Sequence, residues 1–124
     1  MADTVTSQAI FTGNRRSIYS FTSVSDGTGE SAVQKIDISG LPGAPSAVNI
    51  EQVWWTTAGM SVKILFDHTT DDVGLIVSGN GNLKFDSFGG IPDPKSAGGT
   101  GDIMFTTVDH HSGDTYSIVL EVSY

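Results

Sequence analysis

The feature that most constrains the fold is the alternation of apolar and polar residues with a period of two, the period of a β-strand. It is clearest in two segments, 60–67 and 115–124, whose apolar residues fall on one face: Met60, Val62, Ile64 and Phe66, then Tyr116, Ile118, Leu120, Val122 and Tyr124. We predict that these faces lie in the core. Val119 falls on the opposite face of its strand, which indicates that this second face is partly covered.

Further segments with strand character are short and lie between turn residues. They bring the predicted number of strands to nine: 9–11, 17–23, 33–38, 48–57, 73–77, 83–86 and 102–108. Two proline-containing segments, 39–47 and 89–101, are predicted loops, because proline cannot donate a hydrogen bond within a central strand.

Glycine and asparagine mark three predicted hairpin turns, at 25–29, 78–82 and 111–114. Both residue types tolerate the positive φ that a tight reversal requires. Asn80-Gly81 is the best match to a type I′ turn, because both of its residues accept left-handed backbone angles.

No stretch of eleven or more residues has a helical period, and the strand segments recur about every ten residues. We therefore predict an all-β protein, a single antiparallel β-sandwich of the jelly-roll type. The alternative is an immunoglobulin-like sandwich, since Trp54 and Trp55 lie on a mid-chain strand. We expect one domain over 9–124, preceded by an extended polar arm over 1–8.

Charge and cysteine content exclude several classes of function. The 124 residues include 6 Lys and Arg against 14 Asp and Glu, so the net charge is −8 and nucleic-acid phosphates are repelled. The absence of cysteine excludes disulfides, thiolate nucleophiles and cysteine-ligated metals. With no apolar stretch of 18 residues and no secretory signal, we expect a soluble protein with no membrane partner and no export signal.

Two polar clusters contain residues that can ligate metals. Segment 67–72 combines three aspartates with His68, but its spacing does not match an EF-hand loop, and we interpret it as a solvated acidic turn. His110 and His111 lie between Asp109 and Asp114, yet neighbouring side chains on a strand point in opposite directions. We interpret them as a polar hairpin end, with ion binding restricted to copies that meet at a symmetry axis.

No pattern matches a catalytic template. Segment 59–62 lacks the second glycine of a nucleophile elbow and leads into a strand rather than a helix. The glycines of 79–81 and 98–101 do not open a helix, so they do not form a phosphate site. We predict a protein that is not an enzyme and binds no cofactor. A metal-assisted hydrolase at His110 and His111 is the enzymatic alternative.

Two adjacent pairs are candidates for recognition. Alternation directs one ring of Trp54-Trp55 into the core and the other outward, where it can stack on a sugar or anchor a protein contact. Arg15-Arg16 is the only local concentration of positive charge in this acidic chain, and it is suited to an acidic patch on a neighbouring subunit.

Several phrases of the sequence resemble those of a known class of proteins. They are SDGTGES at 25–31, VWW at 53–55 followed by GMSV at 59–62, FDSFGG at 85–90, GDIMFTT at 101–107 and GDTYSIVLE at 113–121. In these the chain is similar to small virion structural proteins of tailed bacteriophages, in particular capsid decoration or cement proteins.

The resemblance implies a non-enzymatic β-domain that binds the major capsid protein or other virion proteins. It also implies a homo-oligomer, with a trimer favoured, located on the outer capsid surface after assembly in the host cytoplasm. A tail or neck component and a carbohydrate-binding module that uses an exposed tryptophan are the alternatives. The predicted interface combines the arm, the two pairs and the long loop: Thr4, Val5, Arg15, Arg16, Trp54, Trp55, Ile91 and Pro92.

Overall fold

The computed structural model describes residues 4–85, 87, 89–94 and 97–124, and it confirms an all-β antiparallel fold. The described residues form eight strands: β1 Thr4–Thr12, β2 Arg16–Val24, β3 Val33–Ile36, β4 Asn49–Phe66, β5 Asp72–Lys84, β6 Ile91–Pro92, β7 Ile103–Val108 and β8 Thr115–Ser123. A 3-10 turn, Ile38–Gly40, follows β3.

The strands form one continuous sheet that folds over into two layers. Its order is β1-β2-β8-β4-β7-β3, and β5 and β6 also pair with β4. The first part of β4 pairs with β8 and the second part pairs with β7, so this long strand passes from one layer to the other. The register shifts between Thr56 and Ser61, where Gly59 has a φ of +83°. The result is a jelly-roll-like sandwich that is nearly barrel-shaped.

The core follows the predicted alternation. The apolar faces of 60–67 and 115–122 are buried, and Ile64 and Leu120 have no exposed surface. Phe21 on β2 meets Phe105 on β7 edge to face, with ring centroids 5.2 Å apart, and Phe105 meets Tyr116 on β8 at 5.7 Å. Aromatic pairs of this geometry add roughly 0.5–1.5 kcal/mol each beyond area burial. They join the two layers.

The predicted turn at 78–82 is wrong. This segment lies inside β5, which runs beside β4 through the bend, with Asn80 paired to Thr56 and Gly81 paired to Trp55. The hairpin that joins β4 to β5 reverses at 67–71 instead. The positive φ of Gly79, +72°, lets β5 follow the irregularity of β4 rather than reverse the chain.

The turns at 25–29 and 111–114 are present, but they are not hairpin corners. The first leads from β2 to β3 and the second from β7 to β8, and neither pair of strands is hydrogen-bonded. Both are crossovers at the same end of the sandwich. There the Ser25 N–H donates to the Asp114 carbonyl at 2.7 Å, and the Gly113 N–H donates to the Ser25 carbonyl at 2.8 Å.

The predicted division at residue 8 also differs from the structure. From Thr4 onward the expected arm is strand β1, paired with β2 in register from Thr4 opposite Val24; residues 1–3 lie outside the described residues. The nine predicted segments become seven strands, because 48–57 and 60–67 merge into β4 and 73–77 and 83–86 merge into β5, and one further strand brings the number to eight. A short strand, β6, pairs with β4 in the segment predicted as a loop.

Candidate functional site

The outer face of the layer β1-β2-β8-β4-β5 is a broad polar surface. Its central row, read from the strand register, is Gln8, Ser20, Val119, Trp54 and Asn82. The neighbouring row is Thr6, Thr22, Ser117, Thr56 and Asn80. Side chains directly opposite one another in an antiparallel pair share a face. Uncharged hydroxyl and amide groups therefore surround one aromatic ring.

The two tryptophans have opposite roles, as alternation predicts. Trp55 packs against the core, and its indole Nε1 donates to the Ser78 carbonyl at 2.9 Å. Trp54 is half-buried beside a groove of about 420 Å³ that is also lined by Trp55, Thr56, Asn80, Gly81, Asn82, Ser117 and Val119. Val119 is half-buried, so the second face of β8 is partly covered, as predicted. Trp55 is the ring held against the core, and Trp54 is the ring on the outer face.

Strand β1 forms an open edge of this layer. Within the described residues it pairs with β2 alone, so its other backbone edge has no strand beside it. Val5, Ile10 and Phe11 are exposed along it. The register shifts between Ala9 and Phe11, which is a β-bulge. The edge combines unpaired backbone groups with apolar side chains.

The other predicted interface residues do not join one patch. Thr4 pairs with the last residue of β2 and Arg16 is the first residue of that strand, so the two lie about 26 Å apart along the sheet. Arg16 Nη1 is 3.3 Å from Glu121 Oε2, but Arg16 is exposed, and such a pair contributes at most about 1 kcal/mol. Arg15 is exposed. Ile91 and Pro92 form β6, which pairs with the start of β4.

A buried cluster lies where the segment 67–72 was expected to be solvated, so that interpretation is wrong for His68. Its side chain is 7% exposed, and its Nε2 is 2.6 Å from Asp93 Oδ1 and 3.7 Å from Asp72 Oδ2. The Asp93 side chain is 1% exposed. Asp93 was missed because it lies 25 residues away in a proline-containing loop with no local pattern.

Both ring nitrogens of this histidine have hydrogen-bond partners. His68 Nδ1 is 2.8 Å from the Gly98 carbonyl oxygen. This contact, followed by the hydrogen bond to Asp93, raises the pKa of His68 above its ordinary value, against the effect of burial. The His68 backbone N–H donates to Asp71 Oδ1 at 3.1 Å, which holds the turn closed.

The glycines of the segment 98–101 allow this approach. A Cβ at Gly99 would lie 2.4 Å from the Asp67 carbonyl oxygen, and one at Gly101 would lie 2.8 Å from Asp93 Oδ2. Both residues have positive φ, +68° and +79°. Because these two residues have no side chain, the loop can pack closely on the β4–β5 turn.

The adjacent histidines contact different partners. His110 is half-buried, with its Nδ1 3.1 Å from Thr107 Oγ1, and its ring packs against Gly29. His111 is exposed, and its Nδ1 is 3.4 Å from Asp114 Oδ2. Within the described part of one chain they belong to no group of three metal-ligating side chains. A site at a symmetry axis stays a prediction.

Comparisons with known proteins give distant structural likenesses. No family model matches the chain, and no curated protein matches it. A cupin superfamily protein from Desulfitobacterium hafniense DCB-2 is similar over 99% of this chain and 79% of its own, with 14% identity and a TM-score of 0.40. A mutant of the family 29 carbohydrate-binding module CBM29-2 is similar over 97% and 85%, with 12% identity and a TM-score of 0.41. Likenesses at this level indicate no function.

No helix among the described residues has the length and apolarity to span a bilayer.

Proposed function

We propose that this protein is a non-enzymatic structural component of a tailed bacteriophage virion, a decoration or cement protein on the outside of the capsid shell. Its partner is the major capsid protein or another virion protein, and it acts as a homo-oligomer, with a trimer favoured. The observation that carries this proposal is the open edge of β1. The resemblance in the sequence suggests the class of protein, and this edge suggests the surface through which it attaches.

Apart from the bulge between Ala9 and Phe11, the edge lacks the features that keep sheet edges from pairing. Strand β1, with the sequence TVTSQAIFT, has nine residues and contains no charge, no proline and no glycine. Soluble β-proteins ordinarily protect an edge with charges, proline, bulges or a short strand. The other strands with a single neighbour among the described residues differ, since β3 has four residues, β6 has two and includes a proline, and β5 contains three glycines.

An edge of this kind is suited to strand addition by a neighbouring subunit. The partner's backbone supplies the missing hydrogen bonds, and pockets for alternate side chains supply specificity. Val5, Ile10 and Phe11 would add apolar contact along the strand. The net charge of −8 opposes aggregation of the free protein before assembly. Repeated attachment around a shell then adds avidity.

Particles purified from the source virus provide the first test. Mass spectrometry should find the protein at a constant copy number, and cryo-electron microscopy should place it on the outer surface. Light scattering of the free protein should give a homo-oligomer. Absence of the protein from the particles would end the proposal.

The edge itself is tested by attachment to shells that lack the protein. Val5→Lys places a charge on β1 and should weaken attachment by at least tenfold. Ile76→Lys is the matched control, because Ile76 is an aliphatic residue on β5 that is also exposed, 58% against 40% for Val5. Loss of attachment in the Ile76 variant alone would transfer the contact to β5 and contradict the assignment to β1.

Carbohydrate binding is the second candidate, favoured by the groove beside Trp54. An aromatic face bordered by the amides of Asn80 and Asn82 offers both a stacking surface and hydrogen bonds to sugar hydroxyls. A glycan array should then find a ligand whose binding is lost in Trp54→Ala and kept in Ile76→Ala. No bound glycan, or binding unchanged in Trp54→Ala, would remove this candidate.

A further inference from the structure

The buried cluster of His68, Asp72 and Asp93 plays no part in the proposed attachment. One ligand atom from each side chain lies within 4.8 Å of the other two, and among the described residues this is the only group of three such side chains. His68 and Asp93 are almost fully buried, while Asp72 is 24% exposed at the edge of the cluster. The cluster therefore has a closed interior and one side toward solvent.

The hydrogen bond at His68 Nδ1 determines the state of Nε2, the ring nitrogen that faces the carboxylates of Asp72 and Asp93. The Gly98 carbonyl oxygen is only an acceptor, so His68 Nδ1 must carry the hydrogen. In the neutral ring Nε2 then presents a lone pair to two carboxylate oxygens, which repel it. A positive charge at this point, either a proton or a metal ion, removes the repulsion.

The surroundings of Asp72 distinguish a proton from a metal ion at this position. Its Oδ2 is buried and has no hydrogen-bond partner among the described residues, although it lies only 3.7 Å from His68 Nε2. A proton on Nε2 is taken by Asp93, whose Oδ1 is at 2.6 Å, and it leaves the Asp72 oxygen with an ion-pair contact but no hydrogen bond. Buried polar atoms in native proteins are nearly always satisfied. A metal ion among the three atoms satisfies all of them.

We propose that His68, Asp72 and Asp93 bind one divalent transition-metal ion. An imidazole with two carboxylates is a ligand set of Zn²⁺ and similar ions, whereas Ca²⁺ and Mg²⁺ take shells of oxygen. Zn²⁺ with three protein ligands ordinarily keeps a water in the fourth position, and the Asp72 side faces solvent. The ion replaces the His68–Asp93 hydrogen bond, and tetrahedral bonds of about 2.0–2.1 Å separate those two atoms to about 3.3 Å.

A metal-bound histidine usually donates its second ring N–H to an acceptor, and the Gly98 carbonyl is in that position for His68. Such acceptors orient the ring and increase its basicity. The ligands come from the β4–β5 turn, the start of β5 and the loop after β6. A bound ion therefore links the hairpin end to the loop that contains Gly99 and Gly101.

The test uses the full chain without a histidine tag, stripped with a chelator and dialysed against Zn²⁺. Elemental analysis should find one Zn²⁺ per chain, and the Tm should rise until one equivalent is bound. Dialysis against Ca²⁺ should leave no stoichiometric ion. A cluster that holds only a proton would bind no Zn²⁺, and this result would overturn the proposal.

Two variants assign the ion to the cluster. His68→Gln and Asp72→Asn should each weaken Zn²⁺ binding by more than about 100-fold, beyond the 10–100-fold that follows loss of a ligand's hydrogen-bond partner. Asp72→Asn keeps the shape of a partly exposed side chain, so it tests the proposal even where His68→Gln does not fold.

His111→Gln is the matched control, because His111 is an exposed histidine beside an aspartate. Zn²⁺ binding should be unchanged in this variant. Binding that survives Asp72→Asn, or that is lost in His111→Gln, would place the ion elsewhere and overturn the proposal. Neither result depends on attachment to virions.

Discussion

Lys35 Nζ lies 2.5 Å from Glu30 Oε2, and the two side chains are only 4% and 5% exposed. The other Glu30 carboxylate oxygen accepts a short hydrogen bond from the Tyr116 hydroxyl. The ammonium also lies over the rings of Phe105 and Tyr116, 5.6 and 5.9 Å from their centroids. This ion pair attaches the crossover between β2 and β3 to the core.

Removal of one partner from this pair should be costly. Glu30→Gln leaves the Lys35 charge buried without its counterion, and we expect a loss of about 3–5 kcal/mol in the free energy of unfolding. The double variant Glu30→Gln with Lys35→Met should recover most of that loss, because it removes the isolated charge. Urea denaturation measures both. Arg16→Gln, which breaks an exposed pair, should cost less than about 1 kcal/mol. Equal losses in the buried and exposed pairs would contradict this account.

Deletion of core side chains should follow the predicted faces. Ile64→Ala and Leu120→Ala should each lower the free energy of unfolding by about 2–5 kcal/mol, because both residues are fully buried. Ile76→Ala, on the exposed face of β5, should change it by less than about 0.5 kcal/mol. Chemical denaturation checks the three variants. A small effect at Leu120 would place that face of β8 outside the core.

The two tryptophans should differ in their contribution to stability. Trp55→Ala removes a ring that packs on the core and donates to Ser78, and it should cost about 2–4 kcal/mol. Trp54→Ala should cost less, because its ring lies on the outer face. Thermal and urea unfolding of both variants measure the difference. The reverse order would contradict the assignment of the two faces.

Close packing at Gly99 should separate it from a glycine of positive φ that lies in open space. Gly99→Ala puts a Cβ against the backbone of Asp67 and His68 and should cost more than about 2 kcal/mol. Gly43→Ala is the control, since Gly43 has a φ of +81° and no atom within 4 Å of its Cβ position. It should cost only the backbone strain of about 1 kcal/mol. Unfolding curves that show equal losses would exclude a steric role for Gly99.

Alternation predicted the strands and their buried faces well, but it did not predict how they are connected. The residues of 60–66 and 116–122 lie as expected because side-chain period is a local property of an extended chain. Asn80-Gly81 predicts a turn because both residues tolerate the backbone angles that a turn needs. The same residues also fit an extended strand, and pairing with β4 through the bend keeps this segment extended.

For the candidate sites, too, the sequence predicted the direction of side chains but not the arrangement of strands. That one tryptophan lies inward and one outward followed from the sequence, since neighbours on a strand always face apart. That β1 is paired on one side only, among the residues that the structure describes, depends on the order of strands, which no local pattern contains.

By itself the sequence determined an all-β fold without cysteines, a strongly acidic surface and the faces of the main strands. The tertiary structure alone decided that Asp93 meets His68 and that Glu30 meets Lys35 in the interior. The physical reason is that burial of a charged group is tolerated only beside its partner. His68 and Asp93 are 25 residues apart, so only the folded chain brings these two together.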